Sequence, residues 1–236
     1  MNFTIKQFLE AALKANVSGL TEGLAFMLEP KAVVKHTGDG DLAFVILPYL
    51  DDADFYGQLL VFGVLMESGP VLHYSFTLKK NDKMAFKGEF AVNWNGTVMY
   101  AAGISIPEGN ATCQDECVFV YKCETTTQGD CVLVHTFTCK TVSGSFDYGK
   151  SISCSGDGLA VAILSSSSNK YSGIVQVKKA KDNTLLDWEE KRVHQNGGNP
   201  LTNGKLYLSR NGEELSVWDG DDKLPDLELI PDVYSS

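Results

Sequence analysis

The stretch "ISCSGDGLAVAILSSSSNKYSGIVQVKK", residues 152–179, sets an Asp-Gly turn before an unbroken apolar run, then a polar loop, a glycine and a second apolar run. Asp-Gly and Asn-Gly between apolar segments signal tight hairpins, because a type I′ turn needs positive φ at both central residues. The arrangement returns along the chain. "TGDGDLAFVIL" carries it at Gly40, "NWNGTVMYAAGI" at Gly96 and "SRNGEELSVWD" at Gly212; with Gly158, these glycines stand 56, 62 and 54 residues apart. A second register runs through Gly57, Cys117 and Gly173, at intervals of 60 and 56. A third joins "VLHYSFTLK" from Val71 to "VLVHTFTCK" from Val132, 61 residues on. Three registers agreeing on one period predict an array of supersecondary units.

Each unit reads as four strands. They are expected at 31–37, 41–47, 57–65 and 71–79, then at 88–94, 97–104, 117–123 and 131–139, and then at 149–154, 159–164, 172–178 and 185–193. The second strand of each unit ("LAFVIL", "VMYAAGI", "LAVAIL") is apolar on both faces, where a strand covered on one side would alternate. Each small sheet is therefore expected to lie between two neighbours. The predicted fold is all-β: a β-propeller-like array of about four four-stranded antiparallel blades, with one short N-terminal α-helix.

The third unit resembles the FG-GAP type of propeller repeat, in which a Ser-x-Asp-Gly turn precedes a small, apolar strand and a Gly-led strand follows the loop. "LSVWDG" at 215–220 is similar, more loosely, to tryptophan-aspartate repeats. The resemblance covers about residues 30–220 as a pattern. The calcium loop of many FG-GAP repeats is not reproduced: "GDGD" at 38–41 and "DGDD" at 219–222 are short and lack the spaced downstream carboxylate. No metal or other cofactor is expected.

The chain divides into an N-terminal helix with a lead-in strand (1–29), the repeat region (30–220, with units at 31–80, 86–140, 147–194 and a partial unit at 203–220) and an acidic tail (221–236). For the helix, Thr4 is the expected N-cap with Gln7 as its capping-box partner, and Phe3 and Phe8 stand at the staple positions. Ile5, Phe8, Leu9, Ala12 and Leu13 share one face. Glu10 and Lys14 interrupt what would be the apolar core of a secretory signal. The partial fourth unit raises a question of closure. Either strands from both termini, "LELI" among them, complete a fourth blade, or a partner covers the end faces, because soluble proteins do not expose large apolar sheets. The second outcome is the one expected.

Composition narrows the function classes. A net charge of −10, with scattered lysines and arginines, argues against nucleic-acid binding. Apolar runs are strand-sized, so no membrane insertion is expected. Six cysteines fall between Cys113 and Cys154. In a hairpin of 117–123 with 131–139, Cys123 comes near Cys131 and Cys117 near Cys139, with a two-residue register difference that needs a bulge. Two cross-strand disulfides or buried free thiols both fit, and zinc lacks the paired Cys-x2-Cys spacing. Sequons at Asn2, Asn16, Asn95 and Asn110 matter only in a secreted chain.

His36, His73, His135 and His194 form no metal or catalytic motif, and Asp51, Asp52, Asp54, Asp115, Glu116, Glu189 and Glu190 read as solvated loop charges. No catalytic residues are expected. The expected function is a non-enzymatic interaction or structural protein, binding a protein partner or other copies of itself within a larger assembly. The alternatives are an extracellular or surface adhesion module for glycan or receptor, and a propeller glycosidase.

Overall fold

A computed structural model describes residues 3–50, 55–65, 69–105, 115–125, 129–138, 146–167, 174–194, 204–223 and 229–230. It is mostly β, in four antiparallel sheets. The first sheet is β1 (Val33–His36), β2 (Leu42–Leu47), β3 (Gln58–Leu65) and β4 (Gly69–Thr77), paired in chain order. The second is β5 (Met84–Val92), β6 (Val98–Ser105), β7 (Asp115–Cys123) and β8 (Cys131–Thr138). The third is β9 (Phe146–Cys154), β10 (Ala160–Ser167), β11 (Ile174–Ala180) and β12 (Trp188–His194). The fourth is β13 (Gly204–Leu208), β14 (Leu215–Asp219) and β15 (Asp222–Lys223). The repeat units are thus the sheets themselves, and pairing is local within each.

The same turn opens each second strand. Ser155 Oγ accepts the Ala160 N–H at 2.9 Å, and Asp157 Oδ1 accepts the Leu159 N–H at 2.9 Å. Thr37 with Asp39, and Ser209 with Asn211, repeat both bonds. At the second turn Asn93 Oδ1 takes the Val98 N–H at 2.9 Å. These are local side-chain substitutes for ladder bonds, which is why Ser, Thr, Asn and Asp recur at those places.

The sheets stack face to face. Phe44, Ile46 and Val61 of the first sheet pack on Phe90, Met99 and Phe119 of the second. Tyr100, Ala102 and Val118 pack on Tyr148, Val161 and Ile163 of the third. Ala162, Leu164 and Val175 pack on Leu206 and Val217 of the fourth. All of β2 is buried, and β6 and β10 are nearly so, because each has a neighbour on both sides. The first strands approach one another in sequence, β1 to β5, β5 to β9 and β9 to β13, so the sheets fan from a common line. The fan is not closed: no backbone bond joins β13 to β1 among the described residues.

Two expectations need correction. The segment before Pro30 is not a lead-in strand but a second helix, α2 (Glu22–Leu28), after α1 (Ile5–Lys14). Thr21 caps α2 by accepting the Leu24 N–H, and Ala25 and Leu28 recur at helical spacing on its buried face. The outer face of the first sheet is covered by this chain rather than by a partner. Phe8, Leu9 and Ala12 of α1 and Ala25 and Leu28 of α2 bury Ala43, Val45, Leu60 and Phe62. "LELI", the strand that a completed fourth blade would have needed, does not join the fourth sheet. Leu229–Ile230, β16, pairs with β12 on the edge of the third. The capping box at Thr4 and Gln7 is present as expected.

Candidate binding surface

The first strands enclose an axial cleft. Its walls include Lys35 (β1), Glu89 (β5), Lys150 (β9) and Lys205 (β13), around a volume of about 400 Å³. Lys35 Nζ lies 3.6 Å from Glu89. Burial raises the Glu89 carboxyl above its ordinary pKa, and Lys35 only partly offsets this. A larger groove, about 740 Å³, runs on the rim between the second and third sheets. Two of its carboxylates hold turns: Asp130 takes the Cys131 N–H at 2.7 Å, and Asp157 is held by Ser155 and Leu159.

The four turns meet near one end of the axis. Arg210 stacks its guanidinium over the Trp94 ring at 3.9 Å, spanning from the fourth unit to the second. Gly38 and Gly156 make room for the neighbouring Trp94 and Arg210 side chains, because a Cβ at either would fall 2.0 Å and 2.5 Å from them. A cation over an indole face contributes about 0.5–1 kcal/mol at an exposed site.

The outer face of the fourth sheet is different from every other sheet face. Leu206 and Val217 point inward and are buried. Lys205, Tyr207, Ser216 and Trp218 alternate to the outside. Tyr207 is 55% exposed, and its ring meets Trp218 edge-on at 6.4 Å. With Gly220 and Asp221, these residues line an open groove of about 500 Å³.

The residues singled out in the sequence are scattered. Cys123 and Cys131 are joined in a disulfide at the end of the β7–β8 hairpin. Cys117 is a free thiol. The register shifts by one residue between Val120 and Tyr121, not by two, so Thr138 faces Cys117. Cys139, its expected partner, lies outside the described residues, as does Cys113. Burial, reinforced by Asp115 and Glu116, pushes the Cys117 thiol up to about 12, and burial does the same to Cys154. Neither is a reactive thiolate at neutral pH. Reducing the Cys123–Cys131 bridge, which closes 8 residues, should lower stability by at most about 2.5 kcal/mol on chain entropy alone. Paired denaturant melts with and without reductant would measure it, and no loss would mean the hairpin is held by pairing alone.

Of the histidines, His73 packs against Gly63, and His135 lies among Phe137 and Trp188, where burial, then Lys178, lowers its pKa. His36 touches Phe8, and His194 ends β12.

Among the carboxylates, Glu116 pairs with Lys87 at 2.8 Å and also takes the Tyr148 N–H. Lys87 in addition reaches Asp147, so one ammonium ties β5, β7 and β9 together. Burial alone would lower the Lys87 pKa, but Asp147 and Glu116 outweigh it and hold it above the usual value. Glu190 pairs with Lys178 at 2.6 Å. Asp115 opens β7 and Glu189 stands in β12, while Asp51, Asp52 and Asp54 lie outside the described residues.

Sequence reasoning missed Lys205, Tyr207 and Trp218. Aligning the fourth unit on the third, position by position, puts Ser216 and Trp218 where Ala162 and Leu164 are buried, and that substitution was the available signal. No helix among the described residues is long and apolar enough to cross a membrane. A scan against protein-family models and a search of curated proteins each find no match to the chain.

Proposed function

We propose that this chain is a non-enzymatic binding scaffold, a propeller-like array that makes protein–protein contacts as a subunit of a larger assembly. One observation carries the reading. Each sheet-to-sheet face is filled with apolar side chains, the first outer face is filled by the chain's own helices, and the last outer face presents an aromatic pair, Tyr207 exposed and Trp218 half-buried. Tyr and Trp are among the residues most enriched at interface anchors. A scaffold of repeats also gives wide surfaces with few internal demands on them.

In native extract the tagged full chain should migrate as a complex well above its 25.7 kDa mass. The double variant Tyr207→Ser/Trp218→Ser should keep its melting temperature within a few degrees while that complex weakens or is lost. A wild-type chain that sediments as a free monomer in extract would refute the scaffold reading.

A second reading, a surface adhesion module, draws on the Cys123–Cys131 disulfide, since such bonds persist in oxidising compartments. Asn16 and Asn95 are exposed sequon positions. Non-reducing mass spectrometry of the native chain separates the two: an intact bridge with glycan on Asn16 or Asn95 supports adhesion, and six free thiols without glycan remove it.

A further inference from the structure

The open face can be compared, residue by residue, with faces whose occupants are known. Counting from the residue that opens each turn (Thr37, Asn93, Ser155, Ser209), the seventh and ninth positions are Phe44 and Ile46, Tyr100 and Ala102, Ala162 and Leu164, and Ser216 and Trp218. The first three pairs are at most 1% exposed, each against the following sheet. Ser216 and Trp218 hold the same places with no sheet beyond them among the described residues.

The backbone repeats the pattern. The Gly38 N–H donates to the Trp94 carbonyl at 2.8 Å, the Trp94 N–H to the Gly156 carbonyl at 3.0 Å, and the Gly156 N–H to the Arg210 carbonyl at 2.7 Å. This ladder has a direction, because every unit gives one donor to the next. Among the described residues no carbonyl takes the Arg210 N–H.

One position differs in kind. Four residues before each turn stand Val33, Glu89, Ser151 and Lys205. The Glu89 carboxylate accepts the Ile152 N–H of the third sheet, and Ser151 Oγ accepts the Leu206 N–H of the fourth at 3.1 Å. Lys205 can only donate; within the chain its charge is felt by Glu89 across the axial cleft, and no hydrogen bond or ion pair joins the two.

We infer that the outer face of the fourth sheet docks a β-sheet layer of a separate polypeptide, staggered like the chain's own sheets, which brings a carbonyl to the Arg210 N–H and a carboxylate to Lys205. The inference rests on the scaffold reading and names the occupant of its open face. A helix docked along its length would not continue the ladder, since all but its last four carbonyls are spent within the helix. A second copy stacked in the same direction would have to present its first sheet, and that face already lies beneath α1 and α2. The Tyr207–Trp218 pair then becomes the buried anchor of the interface.

The test uses the tagged full chain in its native complex. Carbodiimide, a zero-length cross-linker, should tie Lys205 to an Asp or Glu of another polypeptide, within a segment of alternating apolar residues. Hydrogen exchange at the Arg210 amide should slow by at least about tenfold relative to the free chain. Lys205→Glu should weaken association by about tenfold or more, as removal of a buried charge partner does, while Lys205→Arg should keep most of it. A complex that survives Lys205→Glu with unchanged affinity would overturn the inference and leave the scaffold reading standing. So would a cross-link from Lys205 only to Glu89 or to Asp226, Glu228 or Asp232 of the same chain, to a second copy, or into a helix. Absence of any complex would remove both.

Discussion

Deleting residues 1–31 should yield a chain that is insoluble or unfolded, not a stable monomer. Phe8, Leu9 and Leu28 are at most 3% exposed, and they lie on Ala43, Val45, Leu60 and Phe62, which are fully buried. Burying one large apolar side chain contributes about 1.5–3 kcal/mol. Losing the helix side of this layer therefore removes about 5–10 kcal/mol, comparable with the whole stability of an ordinary domain. It also bares one face of the first sheet as a continuous apolar surface, which promotes association. Phe8→Ala is the graded version. Its ring centroid sits 5.0 Å from that of Phe62, and its removal should cost about 3–5 kcal/mol in denaturant melts. A truncated chain that sediments as a monomer with unchanged melting would mean that the helices are ornaments on a self-sufficient stack.

The repeat, the strands and the sandwiching of each sheet were legible because period, turn chemistry and two-sided apolarity are local. The expected strand at 97–104 is Val98–Ser105, and that at 172–178 is Ile174–Ala180. What fills the end faces was not legible, because it depends on which non-repeating segment lands where. "LAFMLE" is short and apolar enough to read as a strand. Thr21 as an N-cap and Leu28 one turn after Leu24 tip it to a helix, and only the waiting face of β2 and β3 makes that helix necessary. The hairpin of Cys123 and Cys131 could be placed by register. The one-residue bulge at Val120 could not be, and it changes which residue Cys117 meets. The open face was hidden for another reason: Lys205, Tyr207 and Trp218 look like ordinary strand residues until the buried positions of earlier units are laid over them.

Gly158→Ala should destabilise the chain by about 1–3 kcal/mol more than Gly40→Ala, though both glycines close the same turn. Their φ angles are nearly equal, +74° and +81°. The left-handed backbone therefore charges an alanine about 1–2 kcal/mol at each. Their surroundings differ. A Cβ at Gly40 meets nothing within 4 Å, because that turn stands at the open start of the fan. A Cβ at Gly158 would lie 2.8 Å from Val98 Cβ and 3.1 Å from Asn93 Cβ, both on the sheet before it. The seam cannot widen freely there. Tyr100 Oη donates to the Gly158 carbonyl at 2.6 Å, and Asn93 Nδ2 donates to the Asp157 carbonyl at 3.3 Å. Overpacking against groups so held costs about 1–3 kcal/mol beyond the backbone strain. The difference between the two variants is thus a direct measure of how tightly adjacent sheets are pressed at their turns. Urea midpoints of both variants against the wild type would give it. Equal losses would show that the turns carry only their own conformational strain, and that the sheets are held together by their apolar faces alone.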